Sequence, residues 1–246
     1  MGGIARGGRN VYGVPVGVLM TESRFPRIVG DAGNALTWPF PVLYRVVPGA
    51  GPGRVVRDLS EQELLEPFCS AAVELERAGV ELITTMCGFL VLFQEQIASR
   101  VGVPFLSSSL LQVPWIASLL PPSRRVGVLT IERASLTAEH LAAAGIRPEH
   151  GAAIVGMEEA GDHFRSAILG DELSLDVDVA RAEHERAARL LVERHPDVGA
   201  VVLECTNMPP YAGAVQDATG LHVYDVTTLV TWGAAGRLPR PWSRPA

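Results

Sequence analysis

Thr84-Thr85-Met86-Cys87-Gly88 ends one short apolar run, and Leu203-Glu204-Cys205-Thr206-Asn207 ends another. The two cysteines stand 118 residues apart (205 − 87). The same shift lays Gly102 on Gly220, Val103-Pro104-Phe105-Leu106 on Leu221-His222-Val223-Tyr224, and Ser109 on Thr227. A second echo, Val16-Gly17-Val18-Leu19 and Val126-Gly127-Val128-Leu129, marks the first strand of each half. The chain reads as two copies of one unit.

Working outward from the cysteines, apolar runs alternate with helical patterns. In the first half Val14 to Met20, Val80 to Thr84 and Val103 to Leu106 read as strands. Ser60 and Glu63 form a capping box for a helix over Leu64 to Arg77, and a second helix runs from Gly88 to about Arg100. Phe25 to Pro52, rich in proline and glycine, reads as a long irregular loop. In the second half the strands are Arg125 to Thr130, Ala152 to Val155, Val198 to Leu203 and Leu221 to Tyr224, with helices between them. This grammar predicts an α/β fold of two pseudo-symmetric parallel-sheet lobes, with helices on both faces and the active site in the cleft between them. The expected boundaries are a flexible N-terminal segment over 1–13, a first lobe over 14–112 and a second over 113–226. Residues 227–246 are expected to form a C-terminal helix packing back on the first lobe, then a tail.

Composition narrows the chemistry. The formal charge is -6 over 246 residues, with no basic cluster, which argues against nucleic acid. All 21 basic residues are arginine. Without lysine there is no Schiff base for pyridoxal phosphate, no lysine base and no phosphate-loop lysine. No cofactor and no metal are expected. Three cysteines make no disulfide framework at this length, and point to a cytoplasmic location. No apolar run precedes Tyr12 as in a signal peptide, and none reaches the ~20 residues that cross a membrane.

Each paired cysteine follows a strand and precedes a helix, at the sheet edge where parallel folds bind ligands. A helix start lowers a thiol's pKa and attracts a carboxylate. Two thiols on opposite walls suit removal of a proton from one face of a carbon and delivery to the other. Thr85 and Thr206 add hydroxyls beside the thiols, and Gly88 lets backbone approach a ligand. Asp31, Asn34, Asn207, Thr130 and Ser107 are further candidates for binding the substrate, a small-molecule carboxylate. For the serine, a helix cap is the competing role. Arg24 and Arg27 read as solvated, with a carboxylate clamp as the alternative. Glu204 is expected to point away from the thiol or to pair with an arginine, because a charge beside Cys205 would oppose a thiolate. Trp38, Phe40 and Tyr44 are expected either in the pocket or at a subunit interface. Cys69, on an apolar helical pattern, reads as core.

These motifs resemble the aspartate/glutamate racemase superfamily, which includes hydantoin racemases, maleate isomerases and arylmalonate decarboxylases. The resemblance runs from about Val14 to Trp232 and is strongest at Thr84 to Gly88 and Glu204 to Asn207. It implies that Cys87 and Cys205 are the catalytic pair, with Thr85 and Thr206 helping to bind the substrate carboxylate. It also implies a homodimer. The glutamate-racemase runs Cys-Asn-Thr and Gly-Cys-Thr-His are replaced here by Cys87-Gly88 and Glu204-Cys205-Thr206-Asn207. The function expected from this likeness is a cofactor-independent racemase or epimerase of an amino acid or related 2-substituted acid. The alternatives are a maleate-type cis–trans isomerase or an arylmalonate-type decarboxylase.

Overall fold

The computed structural model describes residues 7–8, 11–59 and 61–238. Most of the expected flexible segment, Ser60 of the capping box and the tail from residue 239 lie outside the described residues. The first half contains β1 (Val16–Thr21), β2 (Val42–Val47), α1 (Pro52–Arg57), α2 (Glu61–Ala78), β3 (Leu82–Thr85), α3 (Gln94–Ala98) and β4 (Phe105–Leu106). The second contains α4 (Val113–Leu119), β5 (Arg125–Thr130), α5 (Ala138–Ala143), β6 (Ala153–Gly156), α6 (His163–Leu169), α7 (Val177–Arg194), β7 (Val198–Leu203), α8 (Ala212–Thr219) and β8 (His222–Tyr224), and α9 (Val226–Ala235) follows.

The strands form two parallel four-stranded sheets in the orders β2-β1-β3-β4 and β6-β5-β7-β8. The sheets are copies in register as well as order: Leu19 pairs with Thr85 in one, Leu129 with Leu203 in the other. Helices cover both faces, giving the pseudo-symmetric two-lobed α/β fold. α9 returns to the first sheet, where Val226, Val230 and Ala234 share a core with Val16, Val18 and Leu82.

The repeated glycines explain how a helix lies so close to each central strand. A Cβ on Gly17 would stand 3.0 Å from Leu75 Cδ1 of α2, and one on Gly127 would stand 2.6 Å from Leu191 Cδ2 of α7. A methyl group at Gly127 would require Leu191 to move, and one at Gly17 would crowd Leu75.

The segment from Phe25 to Pro52 departs from the irregular loop expected of it. It holds β2, an edge strand whose Val42-Leu43-Tyr44-Arg45-Val46-Val47 is rich in strand formers. Pro41 and Pro48 flank the strand rather than interrupt it, which an edge tolerates. Trp38 and Phe40 stack at 5.9 Å within the first-lobe core instead of reaching the cleft. α1 and α6 were not legible either. Both are short, and each draws its stability from packing rather than from propensity. Among the described residues no helix is long and apolar enough to cross a membrane.

Gly127→Ala is expected to destabilise the protein by about 1–3 kcal/mol, and Gly17→Ala by less, because its nearest neighbour is farther away. Urea unfolding of the two variants beside wild type measures this; equal stabilities would show that α7 adjusts freely.

Candidate active site

β3 and β7 run parallel to their central neighbours and end at the same side of their sheets, so Cys87 and Cys205 emerge at matching carboxyl edges. The lobes meet there. Thr206 Oγ1 donates to the Met86 carbonyl at 2.8 Å, and Ser109 Oγ donates to the Leu203 carbonyl at 2.6 Å. The Ala32 N–H reaches the Thr206 carbonyl at 3.3 Å. Gly88 closes the seam: a Cβ on it would fall 2.1 Å from Glu204 Oε1.

Both thiols face one narrow cavity of about 20 Å³, room for one or two water molecules. Cys87, Gly88, Glu204, Cys205 and Asn207 form its polar side, and Phe25, Pro52, Val56, Ile168 and Leu169 its apolar roof. The roof comes from both lobes, through α1, α6 and, at Phe25, the loop after β1. Two contacts latch it. Glu132 accepts from Arg57 (2.6 and 3.0 Å) and from Arg165 (2.7 Å), and the Arg57 hydrogen bonds above all hold its carboxyl down at about 2, against the effect of burial. Asp171, in a left-handed conformation at φ 54°, accepts from the backbone N–H groups of Arg24 and Phe25 at 2.5 and 3.1 Å.

The two cysteines sit in different fields. Burial pushes the Cys87 thiol up to about 12; Glu204 adds to this, and the backbone N–H groups of Phe89 and Leu90 and the more distant Arg27 oppose it. Burial pushes Cys205 well above the ordinary thiol range, with Glu204 adding and the Asn207 N–H opposing. Cys205 also donates its S–H to Asn207 Oδ1 at 3.4 Å. That orientation of the amide is fixed because Asn207 Nδ2 donates to Asp31 Oδ2 at 2.6 Å. Asp31 is itself held by Arg27 at 2.9 Å and by the Gly33 N–H at 2.7 Å. A chain of four side chains, Arg27–Asp31–Asn207–Cys205, thus keeps the second thiol a hydrogen-bond donor.

The residues singled out from sequence divide between the cavity wall and its support. Cys87, Gly88, Cys205 and Asn207 line the cavity. Thr85 Oγ1 donates to the Ser107 carbonyl (2.6 Å), Ser107 Oγ to Gln94 Oε1 (2.6 Å), and Thr130 Oγ1 to Glu204 Oε2 (2.9 Å). Asn34 caps a single turn of 3₁₀ helix and binds the Arg27 carbonyl. Thr206 and Asp31 make the ties described above. Arg27 is not a solvated surface residue: it is largely covered, with 12% of its side chain exposed, pairs with Asp31 and holds its guanidinium 4.4 Å over the Phe25 ring. Cys69 is buried in the core under α2.

Glu204 corrects the sequence expectation. It neither points away nor meets an arginine. It is fully buried in the cavity wall, bound to Thr130 and to the Ile131 N–H, and burial pushes its carboxyl up to about 7. Its position past the end of a strand buried on both faces was the available signal, since such a strand has no solvent side to receive a charge.

A family model for Asp/Glu/Hydantoin racemase matches residues 55–234. The chain belongs to this family. Solved structures similar in fold include a sulfate-associated mutant of arylmalonate decarboxylase (TM-score 0.58, 15% identity, 92% of this chain and 96% of that one). Another is allantoin racemase from Pseudomonas fluorescens (TM-score 0.55, 15% identity, 89% of each chain). Among family relatives, a dimethylsulfoniopropionate lyase of Durusdinium sp. clade D is 27% identical over 96% of this chain and 81% of its own. Dimethylsulfoniopropionate lyase 7 of Emiliania huxleyi is 30% identical over 92% of this chain and 68% of its own. These names overturn the expectation of an isomerase, whether racemase, epimerase or cis–trans isomerase, and of the decarboxylase held beside it. The physical reason for the error is that racemisation and elimination share their first step, removal of a proton next to a carboxylate. A motif that suits proton removal does not by itself specify the fate of the carbanion.

In the ligand-free protein both thiols should resist alkylation. At pH 8 iodoacetamide should modify Cys87 at least about a hundredfold more slowly than a free cysteine, the scarcity of thiolate outweighing its greater nucleophilicity. Cys205 should react more slowly still. Mass spectrometry of timed samples reads both rates, and rapid labelling of Cys205 would contradict the donor role given to it here.

Proposed function

We propose that this protein is a lyase that splits dimethylsulfoniopropionate, or a close β-sulfonium acid, into dimethyl sulfide and acrylate. Cys87 acts as the base. Its thiolate takes the proton from the carbon next to the carboxylate, the C–H electron pair becomes the new C=C bond, and the C–S pair leaves on sulfur. The proton ends on Cys87 Sγ. The leaving group departs neutral, so it needs no proton, and one base suffices where a racemase needs two opposed groups.

The observation that carries this reading is the lyase name borne by relatives matched along about nine-tenths of the chain. The cavity supports it. Among the described residues no arginine or histidine lines the wall, which makes the site hospitable to a cation and to apolar S-methyl groups. A sulfonium about 5 Å from a thiol is worth roughly 3 kcal/mol at an effective dielectric constant of 20, about two pKa units toward thiolate. The substrate thus helps to ionise its own base. Cys87 is assigned as base because two backbone N–H groups face its sulfur, whereas Cys205 is held as a donor by Asn207. In this reading Gly88 and Asn207 contact the substrate, and Thr85, Thr206, Asp31, Asn34, Thr130 and Ser107 hold the wall in place. The same reading takes the protein as a cytoplasmic homodimer. Its unbridged cysteines and the exposed Trp115–Trp232 pair support that assignment.

Headspace gas chromatography for dimethyl sulfide, with proton NMR for acrylate, tests the assignment. Wild type should release both from dimethylsulfoniopropionate. Cys87→Ser should lose about 10²–10⁴-fold in kcat/KM, and Cys205→Ser about tenfold, the scale of one hydrogen bond. No release by wild type, or full activity in Cys87→Ser, would reject it.

A further inference from the structure

Glu204 is the one acidic side chain among the described residues lining the cavity, and no arginine or histidine accompanies it. Its Oε2 accepts from Thr130 Oγ1 at 2.9 Å and from the Ile131 N–H. Its Oε1 has no hydrogen-bond partner and lies against Gly88, where any larger residue would displace it. A buried carboxyl oxygen left without a donor is costly, and native proteins retain such groups where a ligand completes them. Among the described residues, no arginine or histidine lines this wall to complete it.

We propose that Glu204 is the counter-ion for the sulfonium head of the substrate and makes the site choose a cationic acid over a neutral acid of the same shape. The proposal rests on the lyase reading for its substrate class. A sulfonium has three carbon substituents on sulfur and no N–H or O–H, so no hydrogen bond can recognise it. What remains is a negative charge and apolar contact. Phe25, Val56, Ile168 and Leu169 supply the contact. The Phe25 ring is not the charge partner, because the Arg27 guanidinium already occupies one face of it. Glu204 supplies the charge.

The titratable groups facing Glu204 are Cys87 from the end of β3 and Cys205 from the end of β7, with the Asp31–Arg27 pair next beyond them. The carboxyl titrates near neutrality in the empty site, so a bound cation favours its ionised form and expels a proton. Cation affinity should therefore fall as pH drops below about 7, while affinity for a neutral isostere should not follow it.

Calorimetric titration with two non-eliminating probes tests this: 3-(trimethylammonio)propanoate, with a cationic head, and its carbon isostere 4,4-dimethylpentanoate, with the same carboxylate and an uncharged head. Wild type at pH 8 should bind the cation at least tenfold more tightly. The ratio should approach one in Glu204→Gln, which keeps the side-chain shape and the Thr130 hydrogen bond. It should also shrink in wild type between pH 8 and pH 5.5, a readout that needs no variant. A ratio near one in wild type, a ratio retained in Glu204→Gln, or no binding of either probe would overturn the proposal. A Glu204-dependent preference in a protein that releases no dimethyl sulfide would sink the lyase reading and leave the counter-ion standing. Release of dimethyl sulfide without the preference would do the reverse.

Discussion

The contact of Gly88 with Glu204 is the constraint on which the site depends. It brings the carboxyl edge of one sheet against that of the other, closely enough that a single methyl group on Gly88 would collide with the carboxyl. Thr206 and Ser109 hold the same seam with hydrogen bonds to backbone carbonyls of the opposite lobe. Both hydroxyls tie one lobe to the backbone of the other. Because the seam is tied by short polar side chains to backbone, its geometry is set with little freedom, and the two thiols are fixed relative to each other.

Three acids share this small space, and among the described residues no arginine or histidine lines it. Each would ionise at the expense of the others, since every negative charge raises the pKa of its neighbours. The pocket is therefore a poor home for a thiolate, and the raised titration of both cysteines follows from burial and from Glu204. On the proposed lyase reading, a cationic substrate would change that balance, because its attraction for a thiolate would act in a water-poor pocket.

The roof adds a second condition. Its apolar side chains belong to α1 and α6, from different lobes, and to Phe25 in the loop after β1, and its latches are an arginine–glutamate–arginine cluster and the strained turn at Asp171. Strain at a non-glycine residue with positive φ is retained where surrounding contacts over-determine it. Here those contacts are the two backbone N–H groups of the segment that carries Phe25.

Much of this was legible in the residues. The duplicated Val-Gly-Val-Leu strands, the cysteines 118 residues apart and the alternation of strand and helix fixed a two-lobed parallel fold, because local periodicity and backbone sterics act within each segment. β2, α1 and α6 escaped notice because their order comes from packing at an edge or across the cleft. The same holds for the site. Sequence alone determined the pair of thiols, the absence of lysine chemistry and the family. Only the tertiary structure decided that Asp31 and Asn207 bind each other and Cys205, that Arg27 is largely covered, and that Glu204 faces the thiols with one oxygen unpartnered. Those outcomes hinge on contacts across the seam, such as Asp31 with Asn207, 176 positions apart, which no local pattern of hydrophobicity or spacing encodes.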